Sequence, residues 1–141
     1  MNVDALLLID DDDTLVGAWV NSLGQFIKER YKWDLSVHLS LRGLEEMIKT
    51  EKELNIRVAI VDLWMVSKAN NTFDPKAGFK AIDMIRKRWP NSFIIVFSAH
   101  LDGETEKELA RKYVNTTSIK KTAPESVVMR EIERAVRDGQ A

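Results

Sequence analysis

Four consecutive aspartates, Asp10, Asp11, Asp12 and Asp13, follow directly on the apolar run Leu6 to Ile9, and a fifth, Asp62, follows Val58 to Val61. Carboxylates brought to one place repel one another and raise at least one pKa unless a cation sits among them. The chain has no cysteine and only two histidines, so the ligands on offer are oxygens, which favour Mg2+ (or Mn2+) over zinc or copper. Ser98 closes the apolar run Phe93 to Phe97, and its hydroxyl can hydrogen-bond an anionic oxygen; Lys120 and Lys121 close Thr117 to Ile119 and bring ammonium charge. An acid cluster with a metal, a hydroxyl and a lysine is what transfer of a phosphoryl group to a carboxylate needs: a nucleophilic Asp, a metal bridging it to the phosphate, and two groups on the remaining oxygens.

Each residue also has an ordinary role. Aspartates after a strand often cap helices, so Asp10 taken alone fits capping as well as chemistry. Asp13 is read as the cap of a helix beginning near Thr14, and Asp12 as a bystander. A serine or lysine at a strand end is usually a loop residue. The conjunction favours chemistry, because four separate strands each place a required residue type at the same end of the sheet.

The positioning elements are short apolar, β-branched runs at Ala5 to Ile9, Leu35 to Leu39, Val58 to Leu63, Phe93 to Phe97 and Thr117 to Ile119, which predict five strands. Helical spacing joins Leu15, Trp19, Leu23 and Phe26; Leu41, Leu44 and Ile48; Phe79, Ile82, Ile85 and Trp89; Leu109 and Tyr113; and Val128, Ile132 and Val136. Asp74-Pro75 and Ala123-Pro124 mark two helix starts, and Trp89-Pro90-Asn91 marks a stop. Strict alternation predicts an α/β fold, a doubly wound five-stranded parallel sheet flanked by five helices in a three-layer sandwich. Ligands of such sheets bind beyond the carboxyl ends of the strands, where the acid cluster lies. The polar stretch Met65 to Phe73, with Asn70-Asn71, reads as an extended loop.

Bulk properties narrow the function classes. At 141 residues the chain is expected to form a single domain, 1–141, around one core. Hydrophobic residues make up 45% and charged residues 30%, a globular balance, and 21 Lys and Arg against 22 Asp and Glu leave no field to attract nucleic acid or an acidic membrane. The absence of cysteine excludes disulfides and thiol chemistry and fits a reducing compartment. No apolar run reaches the roughly 20 residues that span a bilayer, and the N-terminus lacks a signal pattern, so a cytoplasmic location is expected.

On Asp10 and Asp11 after the first strand, Asp62 after the third, Ser98-Ala99 after the fourth and a lysine after the fifth, the chain resembles the receiver domain of two-component response regulators over nearly its whole length. The Asp74, Ala77, Gly78 neighbourhood looks like the family's acidic-glycine turn before the third helix. The resemblance implies the strand order 2-1-3-4-5, Asp62 as phosphorylated residue, and Ser98 and Lys121, rather than Lys120, as its partners. It also implies Mg2+ held by Asp11, Asp62 and the Trp64 carbonyl, with Asp10 acting through water. Phosphate would come from a histidine kinase or phosphotransfer protein. The chain would catalyse its own phosphorylation and dephosphorylation, and signal through its helix 4–strand 5–helix 5 face to a downstream protein or by homodimerisation. Trp64 and His100, two residues beyond Asp62 and Ser98, are expected to flank the phosphoryl group, Trp64 as a shield against water. His38 is read as a structural histidine with no identified partner.

Three departures from the family stand out: Thr122 where a proline usually follows the lysine, Ser118 where an aromatic switch residue stands, and a longer segment between Asp62 and Gly78. Two other readings compete. Asp10-Asp11-Asp12-Asp13-Thr14-Leu15 also matches the first signature of haloacid-dehalogenase-type phosphatases, which would use Asp10 and Asp12 with Ser98 and Lys121. That reading gives Asp62 no role and lacks a later acidic pair. The third reading is a receiver-like binding module that works without phosphorylation. The chain stops after its last amphipathic helix, so no DNA-reading segment is expected and output would be by protein contact.

Overall fold

Runs of Leu, Ile and Val apolar on both faces form the central strands, and segments with a single apolar stripe form the helices between them. The computed structural model describes residues 2–67, 72–74, 76–99 and 101–141, with only the backbone described at 66, 67 and 72–74. The elements run β1 (Val3–Ile9), α1 (Asp13–Tyr31), β2 (Asp34–His38), α2 (Leu41–Thr50), β3 (Leu54–Val61), β4 (Met65–Ser67), β5 (Thr72–Asp74), α3 (Ala77–Arg88), β6 (Phe93–Ser98), α4 (Gly103–Lys112), β7 (Thr116–Lys120) and α5 (Glu125–Arg137). Five parallel strands form the main sheet in the order β2-β1-β3-β6-β7. Numbered without the intervening hairpin, this is the expected 2-1-3-4-5.

Alternate residues of each central strand serve opposite layers, as the period of two requires. Ala5, Leu7 and Ile9 of β1, Ala59 and Val61 of β3, and Ile94 and Val96 of β6 join a core with Leu44 of α2, Ile82 of α3 and Leu109 of α4. Leu6 and Leu8, Val58 and Ile60, and Phe93, Ile95 and Phe97 face the other way, onto α1 and α5. The buried stripe of α1 is Val16, Trp19, Leu23 and Ile27; Leu15 and Phe26, expected in the seam, flank it half-buried.

The segment read as an extended loop instead contains an antiparallel hairpin, pairing Met65 with Asp74, Val66 with Phe73 and Ser67 with Thr72. Val66, Thr72 and Phe73 are strand-forming residue types on either side of Asn70-Asn71, a pattern that the polar composition obscured. Asn70, Asn71, Pro75 and His100 lie outside the described residues. Among the described residues no helix is long and apolar enough to cross a membrane.

Candidate functional site

The parallel ladder continues one residue past the strand ends and thereby sets the acidic residues side by side. Asp10 N donates to His38 O, and Asp62 N to Ile9 O, each at 3.1 Å. Lys121 N likewise donates to Ser98 O at 3.1 Å. Asp10, Asp62 and Ser98 are buried to within a few per cent of full exclusion from water. Asp11 is half-buried beside them. Asp10, Asp11 and Asp62 each offer a carboxylate oxygen, and these oxygens lie within 4.8 Å of one another.

Lys121 brings an ammonium to Asp10 and Asp62. Its Nζ stands 2.8 Å from Asp10 Oδ2 and 3.0 Å from Asp62 Oδ2. Lys120 is exposed. The backbone turn closed by Ala123 N on Lys120 O at 2.9 Å places Lys121 inward. No peptide bond among the described residues is cis, and with Thr122 in place of proline the Lys121 ammonium still reaches both carboxylates. Two backbone amides also reach the cluster: Asp12 N donates to Asp10 Oδ1 at 2.9 Å and Trp64 N to Asp62 Oδ1 at 3.3 Å. The Trp64 side chain is half-buried and packs against the α2–α3 side of the core.

Burial pushes the Asp10 carboxyl up to about 6, against the opposing hydrogen bonds from Lys121 and the Asp12 amide, and Asp62 pushes in the same direction as burial. Burial alone would lower the Lys121 ammonium; its two carboxylate partners outweigh that and raise it. The two buried carboxylates, Asp10 and Asp62, thus share one ammonium, and Asp11 brings a third carboxylate oxygen within reach. An oxygen-only donor set of this kind fits a hard divalent cation such as Mg2+.

Gly78 fixes α3 against the carboxyl end of β3. Its N donates to Leu63 O at 3.0 Å. A Cβ at Gly78 would meet Asp62 O at 2.6 Å and Leu63 O at 2.8 Å, with Leu63 Cα closer still. Only glycine allows this approach of two backbones.

No protein-family model matches the chain. A search of curated proteins finds no match. Solved structures do match. A CheY-like response regulator receiver domain protein from Methanospirillum hungatei superposes with a TM-score of 0.69 at 14% identity, covering 99% of this chain and 97% of that one. A two-component response regulator from Clostridium difficile gives 0.72 at 10% identity over 99% and 100%, and the signal receiver domain of a putative Luxo repressor protein from Vibrio parahaemolyticus gives 0.68 at 16% over 98% and 92%. The chain has the receiver-domain fold. The receiver resemblance read from the strand-end residues therefore holds at the level of fold, and the receiver fold carries its acidic cluster at the expected end of the sheet.

Two readings of the aspartate run need correction. Asp12, not Asp13, caps α1, its Oδ1 accepting from Thr14 N at 3.1 Å and Leu15 N at 3.2 Å. Asp13 is the first helical residue, where a negative charge still suits the helix dipole. His38 also has a partner that the sequence reading missed: Ser36 Oγ lies 2.9 Å from its Nε2. The signal was the i, i+2 spacing of the two on one face of a strand.

Proposed function

We propose that residues 1–141 form a receiver domain that accepts a phosphoryl group on Asp62 from a phosphohistidine of a histidine kinase or phosphotransfer protein. One observation carries this reading: Lys121 bridges Asp10 and Asp62 at the carboxyl edge of the sheet, with the Asp10, Asp11 and Asp62 oxygens close enough to share a metal. Asp10, Asp11, Asp62 and the Trp64 carbonyl would hold Mg2+. Bound there, Mg2+ supplies positive charge that offsets the approach of two anions.

An Asp62 carboxylate oxygen attacks phosphorus; the P–O bond forms as the P–N bond to the donor imidazole breaks, and the imidazole leaves with the electron pair. Lys121 exchanges its contact with Asp62 for an oxygen of the arriving phosphoryl group, and the Ser98 hydroxyl donates to another. Water later cleaves the acyl phosphate, with Trp64 limiting its access. Redirecting Lys121 and Ser98, which close β7 and β6, biases the α4–β7–α5 face toward a second state that a downstream protein or second copy reads.

Asp12 is engaged in capping α1, and the phosphatase reading has no comparable observation behind it. Acetyl phosphate with Mg2+ should raise the mass of the protein by one phosphoryl group, and Asp62→Asn should abolish the increase. Labelling that persists in Asp62→Asn and disappears in Asp10→Asn would overturn the assignment.

A further inference from the structure

The opposite pole of the sheet carries a charge imbalance of the other sign. A cleft of about 260 Å3 opens there, between the start of β3, the end of α3 and the turn into β6. Ile56 and Trp89 give it apolar lining; Arg57, Arg88 and Asn91 give it hydrogen-bond donors. Arg57 Nη1 is paired with Asp4 Oδ2 at 3.1 Å, and its Nη2 donates to Ala141 O at 2.7 Å. Arg88 Nη2 donates to the Lys52 carbonyl at 3.2 Å, and its guanidinium lies 5.2 Å from the Trp89 ring centroid. No carboxylate among the described residues pairs with Arg88.

A third guanidinium stands behind the cleft wall. Arg86 Nη1 donates to the carbonyls of Pro90 and Ser92, both of which line the cleft. Its Nη2 donates to the carbonyls of Val114 and Asn115 and to Thr116 Oγ1. All five acceptors are neutral. Basic residues in the last turn of α3 complement its dipole, but that accounts neither for a guanidinium carried past the helix end nor for one turned onto Trp89 at a cleft. Among the described residues, Asp4 is the one side-chain carboxylate paired with these three guanidiniums.

We propose that this cleft binds a dianionic phosphate group, either inorganic phosphate or the phosphate of a small phosphomonoester. The unused N–H groups of Arg88 present a planar fork to its oxygens, Arg57, held by Asp4 and Ala141, adds positive charge at the cleft wall, and the Asn91 amide adds a neutral donor. The site lies at the amino end of the strands, away from the acid cluster, so its occupancy is independent of phosphoryl transfer to Asp62.

The test is a 1H–15N titration of the whole chain in EDTA at constant ionic strength, with inorganic phosphate in one arm, glycerol phosphate in a second and sodium chloride as the control. Saturable shifts confined to the Trp89 indole N–H, Asn91 and Ser92 are expected. Arg88→Gln should weaken binding about tenfold, the loss of one charge-assisted contact, while Asp62→Asn leaves it unchanged. Equal affinity in both phosphate arms identifies the bare phosphate group as what is recognised; tighter binding of glycerol phosphate identifies a monoester site. An unchanged Lys121 amide signal in Arg88→Gln shows that the fold is intact. Shifts that fail to saturate, that sodium chloride reproduces, or that persist undiminished in Arg88→Gln overturn the proposal.

Discussion

The two poles of the sheet hold buried charge in opposite ways. At the amino end of the strands, Arg86 meets five neutral acceptors on the α3–β6 and α4–β7 connections, so its charge serves as a strut. At the carboxyl end, Asp10 and Asp62 share the Lys121 ammonium, and the Asp11 carboxylate lies beside them. There the backbone supplies a single amide to Asp10 and another to Asp62. A pole built for stability satisfies its ion with dipoles already in place. A pole that gathers three carboxylate oxygens within 4.8 Å of one another matches, in the proposed receiver reading, a site for an added cation, at a cost in stability that reactive sites commonly carry. The carboxyl pole is also held by direct approach of two backbones at Gly78, whereas the amino pole is tied through a long side chain.

The largest effect expected from breaking this contrast is at Gly78. Gly78→Ala drives a methyl into the backbone of Asp62 and Leu63, which cannot yield as a flexible side chain would, and should cost about 3 kcal/mol in urea unfolding. It should also slow labelling by acetyl phosphate, because the acceptor strand end must shift. Gly103→Ala is the control, since nothing lies within 4 Å of a Cβ there, and it should leave both measurements intact. Arg86→Ala attacks the other pole. It strips donors from five acceptors and should cost about 2 kcal/mol. Labelling per folded molecule should stay unchanged, and a parallel loss of labelling would mean that the poles are not separable.

Much of the carboxyl pole was legible in the sequence because Asp10, Asp62 and Ser98 each directly end an apolar run. Parallel strands align their ends, so these three and the Lys120-Lys121 pair could be placed together without knowing any distance, while the choice of Lys121 over Lys120 came from the receiver resemblance. The amino pole was not legible. Arg86 looked like one of three basic residues closing a helix, and its acceptors lie up to 30 residues away in the chain. The β4–β5 hairpin was missed for a related reason: its strands are only three residues long, too short for a period to emerge from composition. The Asp12 cap failed on register, since a one-residue difference in a helix start is invisible among four identical side chains.

Adding Mg2+ to the metal-free protein should sharpen the contrast by a smaller amount. Binding only the folded state at tenfold excess over the dissociation constant adds about 1.4 kcal/mol, so the urea midpoint of the unsubstituted protein should rise. Arg86→Ala should show the same increment from its lower baseline, because its defect is remote from the cation. Asp11→Asn should show little or none. An equal rise in Asp11→Asn would place the cation elsewhere.

The smallest effect tests whether the carboxyl pole is wholly given over to charge. Asp12 sits inside the acidic run yet does what Arg86 does at the far end: its Oδ1 satisfies the amides of Thr14 and Leu15 at the first turn of α1. Asp12→Ala should therefore lower stability by about 1 kcal/mol, the usual cost of losing a helix cap. Asp13→Ala removes only a dipole contact and should cost about 0.5 kcal/mol or less. Asp12→Asn retains the accepting oxygen and should restore most of the loss without its charge, which separates capping from electrostatics. Neither Asp12 variant should change the Mg2+ increment. If Asp12→Asn removed that increment while keeping the helix stable, Asp12 would belong with the cation-binding carboxylates, and the line between structural and reactive acids in this run would have to move by one residue.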